Sequence, residues 1–142
     1  MIVIDTNVVS EVMKPLADLR VSIWLRQQPI DRVYITAITK AELLYGLALM
    51  ADGKRKQALA GAIQIFLGER LRTPVLAFEG QDALAYARIS AKRRKSGRPV
   101  RELDGQIAAI AASRGFAVAT RNIRDFEGCG IETINPWEAI AT

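Results

Sequence analysis

Histidine is absent from the 142-residue sequence, and cysteine occurs once, at Cys129. The first absence removes Ser-His-Asp and Cys-His nucleophilic machinery, histidine acid–base catalysis and the usual transition-metal ligands. The second excludes an intrachain disulfide and thiolate-rich zinc sites. No apolar run approaches the ~20 residues needed to span a bilayer, so no membrane association is expected. The opening does not read as a secretory leader, because no basic segment precedes its apolar residues and an acid interrupts them at Asp5. The default expectation is a cytoplasmic protein. Any chemistry falls to carboxylates, hydroxyls, amides and cationic side chains.

What remains is an ordinary globular composition, 50% hydrophobic and 25% charged. The length suits one domain over residues 1–142 with a core that needs no covalent staple. No repeat, low-complexity tract or linker divides the chain. The net charge is +5. The excess gathers at Lys54-Arg55-Lys56 and at Lys92, Arg93, Arg94, Lys95, Arg98 and Arg101. Such runs are often no more than a solvated helix face. Their density also suits an anionic partner, of which nucleic acid is the commonest.

Short apolar runs bounded by polar or turn residues predict strands at 2–4, 33–35, 75–78, 116–119 and, more weakly, 132–134. Helical spacing of apolar residues predicts helices over 21–27, 41–51, 55–66, 82–95 and 106–113. Gly115 stops the last of these, as a left-handed C-terminal glycine does. Strands alternating with helices predict an α/β fold, a three-layer sandwich around a mostly parallel central sheet. In such a sheet, ligand sites lie beyond the carboxyl ends of the strands.

Asp5 follows the first strand directly, where a helix N-cap would also explain it. Thr39 and Glu42 have the spacing of a capping box, which would place Glu42 in the first turn of the helix after the second strand. Asp104 suits the positive end of the helix leading into the strand at 116–119. Thr120 and Asn122 follow that strand and could build a turn, with Asp125 capping a short helix. All four places fall on one sheet edge. Carboxylates converging there repel one another without a counter-ion. Oxygen donors of this kind suit a hard divalent cation, Mg²⁺ or Mn²⁺. Such a cation can activate water for in-line attack on a phosphodiester while the surrounding Lys and Arg hold the nucleic-acid backbone.

The ordered segments Ile2-Val3-Ile4-Asp5-Thr6-Asn7-Val8-Val9-Ser10-Glu11, Ile38-Thr39-Lys40-Ala41-Glu42-Leu43, Asp104-Gly105-Gln106-Ile107-Ala108-Ala109 and Ala119-Thr120-Arg121-Asn122 with Asp125-Phe126 carry a resemblance. With Asn135-Pro136-Trp137 near the end, the chain resembles PIN-domain ribonucleases, in particular the VapC and FitB toxins of bacterial toxin–antitoxin pairs. The resemblance implies a PIN-like sheet with strand order 3-2-1-4-5. It implies Asp5, Glu42 and Asp104 as metal-binding and catalytic acids. Asn122 stands at the fourth site position, often Asp in the family, and Thr120 would hold that corner by hydrogen bonding. It further implies a Mg²⁺-dependent endoribonuclease acting on an RNA substrate, with Mn²⁺ as a substitute. A cognate VapB/FitA-like antitoxin, a homodimer and a higher assembly on operator DNA complete the expectation. Because Asn122 carries no charge, one tightly held Mg²⁺ is expected, with any second ion recruited partly by the substrate phosphate. The alternative is a weak or inactive PIN-type nucleic-acid-binding module. An aspartyl-nucleophile phosphohydrolase is disfavoured because Asn7 stands where its second acid belongs. A receiver-like signalling domain is disfavoured by Glu79-Gly80-Gln81-Asp82 after the predicted third strand.

Overall fold

Ile2–Ile4 forms the first strand, β1, and every other strand is placed relative to it. In this computed structural model the described residues are 1–139, so the last three residues of the domain read over 1–142 lie outside them. β1 runs parallel to β2 (Val33–Tyr34) on one side and to β3 (Ala117–Ala119) on the other. β4 (Thr133–Ile134) lies parallel beyond β3, giving the order β2-β1-β3-β4.

The strand expected at 75–78 is reduced to a single parallel bridge, Thr36 with Leu76. Leu76 N–H donates to Ile35 O at 3.0 Å, and Ala37 N–H donates to Leu76 O at 2.8 Å. Pro74 carries no N–H to extend the ladder, so this edge stops at one residue. Counted as a strand, the Leu76 segment lies beside β2 and reproduces the order 3-2-1-4-5.

The helices are α1 (Thr6–Val12), α2 (Leu19–Arg26), α3 (Ala37–Leu49), α4 (Lys54–Ile65), α5 (Gly80–Lys95) and α6 (Glu102–Arg114). Alternate residues of the central strands face opposite layers, as the pleat requires. Ile4 and Ala119 join Val8, Val9, Val21, Leu43 and Ile63 from α1 to α4 in one core cluster. Val3 and Val118 join Ile89, Ile107, Ala108 and Ala111 from α5 and α6 in the other. The result is a three-layer sandwich.

Several expected boundaries move. α3 starts three residues earlier than the capping-box reading allowed, because Thr36 rather than Thr39 is its N-cap and accepts the Thr39 N–H at 3.2 Å. Thr39 is therefore inside the helix and buried, and Glu42 sits beyond the first turn rather than reaching back to a cap. α6 begins at Glu102 rather than 106, which places Asp104 within its first turn. Gly115 ends α6 in the left-handed region, φ 71°, as expected.

On the far side of the sheet, α5 and α6 are clamped by a buried ion pair. Arg114 Nη1 donates to Asp82 Oδ1 at 2.8 Å, and the Ser113 hydroxyl donates to the same oxygen. Burial alone would raise the Asp82 pKa, but the Ser113, Glu79 N–H and Arg114 donors outweigh it and the net direction is down. The pair ties the first turn of α5 to the last turn of α6.

Candidate active site

The carboxyl ends of β1 and β3, the middle of α3 and the start of α6 converge on one cleft of about 430 Å³. Asp5, Glu42, Asp104 and Asn122 all line it, together with Asp125 and the cations Arg101 and Arg121. Thr120 lies directly behind, fully buried.

Asp5 has two roles at once. It is the N-cap of α1, its Oδ1 accepting the Thr6 N–H at 2.8 Å. Its other oxygen, Oδ2, accepts from the Thr120 hydroxyl at 2.9 Å and from Asn7 Nδ2 at 3.4 Å. Asp5 is 6% exposed. Burial raises its pKa; the Thr120 and Thr6 hydrogen bonds oppose this, nearby Glu42 and Asp125 reinforce it, and the net direction is up.

Thr6 reaches across the cleft. Its hydroxyl lies 2.8 Å from Glu42 Oε1, to which it donates, and 3.1 Å from Thr39 Oγ1. The helix face of α3 and the end of β1 are thus tied together through the acid itself. Thr120 Oγ1 accepts the Asn122 N–H at 3.0 Å, and Asn7 Oδ1 accepts the Arg121 N–H at 3.3 Å. These bonds fix the turn after β3 against the turn after β1.

Asp104 is different: among the described residues its carboxylate makes no hydrogen bond or ion pair. Its pKa is pushed up to about 6, first by burial and then by the charges of Asp5, Asp125 and Glu42, with Arg101 pulling the other way. Position in the first turn of α6 favours the anion. Desolvation and three neighbouring acids outweigh that preference. The next residue, Gly105, leaves room for the packing beneath: a Cβ there would meet Tyr86 Cε2 at 2.9 Å and Val100 Cγ1 at 3.2 Å.

A PIN domain model matches residues 2–128 of the chain. The chain belongs to the PIN-domain family. Within it, the VapC ribonuclease Y4jK of Sinorhizobium fredii is 42% identical over 138 residues, covering 97% of this chain and 99% of that protein. Toxin FitB of Neisseria gonorrhoeae is 36% identical over 137 residues, covering 96% and 99% respectively. Among solved structures, FitAB bound to an IR36 DNA fragment contains a chain that matches with a TM-score of 0.89 at 34% identity, covering 99% of both chains. The PIN domain described here is thus of the VapC/FitB type.

A metal site in this PIN domain would rest on donor chemistry rather than on a closed cage. Among the described residues, no three acids are drawn together tightly enough to hold an ion by themselves. The donor set nonetheless fits a hard divalent cation: a half-buried carboxylate without a hydrogen-bond donor, Asp104, faces acids that destabilise its charge.

Asp125 was not singled out as a site residue from sequence. It lies in the 3-10 turn Ile123–Phe126, and a turn of that pitch returns a side chain three positions on to the side of Asn122. The spacing Asn122-x-x-Asp125 was the available signal. The segment is held from behind by the buried Arg93, whose Nη1 donates to the carbonyls of Arg124, Asp125 and Glu127 at 3.3, 3.1 and 2.6 Å. Glu11, Lys14 and Trp137 also line the cleft; Lys14 Nζ is 3.3 Å from Glu11 Oε1.

Proposed function

We propose that this PIN domain is a Mg²⁺-dependent endoribonuclease, the toxin of a type II toxin–antitoxin pair. The observation that carries the reading is Asp104, a carboxylate without a donor that shares one cleft with Asp5, Asp125 and Glu42 and is raised to about 6, first by burial and then by the charges of those acids. That electrostatic conflict inside a chain of net charge +5 suits an acidic metal site surrounded by a surface for an anionic polymer. Asp5, Glu42 and Asp104 would hold the ion, with Mn²⁺ able to take its place. Bound there, Mg²⁺ supplies a Lewis acid that neutralises developing phosphate charge and lowers the pKa of water for in-line attack.

The chain's own groups supply the rest. Thr120 and the Thr6 N–H hold the Asp5 carboxylate at fixed orientation, and the Thr6 hydroxyl does the same for Glu42. Asn122 carries a neutral amide at the mouth of the cleft, where it can orient a water without adding charge. Asp125 contributes the negative charge that Asn122 lacks. One tightly held ion follows, with a second recruited by the substrate phosphate.

The relatives named as a VapC ribonuclease and as Toxin FitB support the activity and the toxin role. The match to FitAB bound to DNA supports a cognate FitA- or VapB-like antitoxin and a joint assembly on operator DNA. The antitoxin would block the cleft, most simply by placing a basic side chain among the acids. A homodimer and a cytoplasmic location complete the reading; no helix among the described residues is long and apolar enough to cross a membrane.

A second reading, a non-catalytic nucleic-acid-binding module, is favoured by Asn122 alone. Induced expression of wild type beside Asp5→Asn and Asp104→Asn, with cellular RNA mapped for cleavage, decides between them. Wild type should cut RNA and arrest growth, both variants should do neither, and excess EDTA should stop cleavage in vitro. Equal cutting by the variants, or cutting indifferent to EDTA, defeats the metal-nuclease reading.

A further inference from the structure

Arg121 stands at the rim of an acidic cleft and pairs with none of its acids. Its backbone N–H donates to Asn7, but among the described residues its guanidinium forms no ion pair. The guanidinium carbon instead lies 5.0 Å from the centre of the Trp137 ring. Trp137 is buried, 5% exposed, and its backbone N–H donates to Asn135 Oδ1 at 3.0 Å, so the ring is a fixed platform.

Seating a guanidinium on an indole face satisfies its flat surface through cation–π attraction and leaves its N–H edge uncommitted. That edge is the part that forms paired hydrogen bonds with phosphate oxygens. An arginine collapsed onto Asp5 or Asp104 would instead compete with any cation those acids hold. The Trp137 platform keeps a strong cation beside the carboxylates without neutralising them. Arg101, also in the cleft, is used differently: its charge acts on Asp104 directly, pulling that carboxyl's pKa down.

We propose that Arg121, seated on Trp137, binds the two non-bridging phosphate oxygens of the scissile phosphodiester in the RNA strand and holds it against the acids. The inference rests on the nuclease reading above. Arg121 is exposed, so its replacement leaves the core intact.

The test measures binding of a labelled mixed-sequence single-stranded RNA by fluorescence anisotropy in EDTA, over a range of salt concentrations. Wild type, Arg121→Ala and Arg121→Lys are compared, and cleavage of cellular RNA in Mg²⁺ is followed in parallel. Loss of one phosphate contact should reduce the slope of log affinity against log salt by about 0.7 and weaken binding about tenfold. Arg121→Lys should restore the slope, because the charge is kept, but not the full cleavage rate, because the paired fork is lost. Melting temperatures should be unchanged in both variants. An Arg121→Ala protein with wild-type affinity and slope, or one that loses melting temperature while the slope stays constant, overturns the assignment. Absence of RNA binding by wild type overturns it too. Failure of wild-type cleavage in Mg²⁺ sinks the nuclease reading separately, since slope and affinity are read without turnover.

Discussion

Thr120 and Asp5, 115 positions apart in the chain, are joined by a hydrogen bond of 2.9 Å from the Thr120 hydroxyl to Asp5 Oδ2. The hydroxyl has one proton to give and gives it to the acid, while its oxygen accepts the Asn122 N–H. Replacing Thr120 with the isosteric Val should therefore release both the Asp5 carboxylate and the turn after β3. We expect a stability loss of about 1–2 kcal/mol in urea denaturation. Mg²⁺ affinity by calorimetry should fall about tenfold, since desolvation of Asp5 is then opposed by one donor fewer. Thr120→Ser should recover most of both. Wild-type metal affinity in Thr120→Val would show that this bond orients nothing.

Asp104 contributes a pH dependence of its own to the metal-free protein. Its carboxyl titrates at about 6 in the fold against an ordinary 3.8. Between those values the folded chain keeps a proton that the unfolded chain releases, so its contribution to stability declines as pH rises from about 4 to about 6 and is flat above that. The difference in melting temperature between wild type and Asp104→Asn, with chelator present, should follow that window. With Mg²⁺ added, wild type should gain melting temperature at pH 7 and progressively less below about 6, where the ion competes with the proton. A difference curve without pH dependence would mean that Asp104 does not feel the other acids.

Asn122 is the cheapest place to alter the charge of the cleft. It lies at the pocket mouth, is exposed, and its backbone rather than its side chain makes the bond to Thr120. Asn122→Asp should leave the fold unchanged and raise the number of tightly bound divalent ions seen by calorimetry from one to two. Two tight sites already present in wild type would refute the single-ion expectation.

Arg93 is a buried cation, 6% exposed, whose donors go to backbone carbonyls of residues 98, 124, 125 and 127 and to no carboxylate. It therefore acts as a peg for the loop that carries Asp125. Arg93→Ala removes a buried donor from each of those carbonyls and should cost about 2–4 kcal/mol. Hydrogen exchange should quicken across 122–130 before it quickens in β1. Exchange that rises uniformly over the whole domain would assign Arg93 to global packing instead.

Much of this site was legible along the chain because its signals are local. Asp5, Asp104 and Thr120 each sit immediately beside a strand or helix end that the apolar pattern marks, and the parallel α/β alternation sends those ends to one edge. Glu42 was placed on the correct edge for a partly wrong reason. The capping-box spacing with Thr39 competes with Thr36, which is buried, caps α3 and moves its start back one turn. The strand expected at 75–78 shrank to one bridge because Pro74 has no N–H to give the ladder, a constraint that apolar content does not weigh. Asp125 was hidden by its reading as the cap of a short helix.

Taken by itself, the sequence determined the class of chemistry and the frame. Without histidine, and with a single cysteine, carboxylates, hydroxyls, amides and cationic side chains remained, and the order of short strands and amphipathic helices argued for a mostly parallel sheet with polar residues at its carboxyl edge. Tertiary structure decided which of those residues hold one another. The Thr6–Glu42 bond spans 36 positions, the Thr120–Asp5 bond 115, and Arg121 meets its Trp137 platform through the packing of the turn after β4. Such contacts have no period to read. Their partners are chosen by side-chain reach and burial once the layers have closed, and the raised pKa of Asp104 exists only after that closure brings its neighbours' charges near.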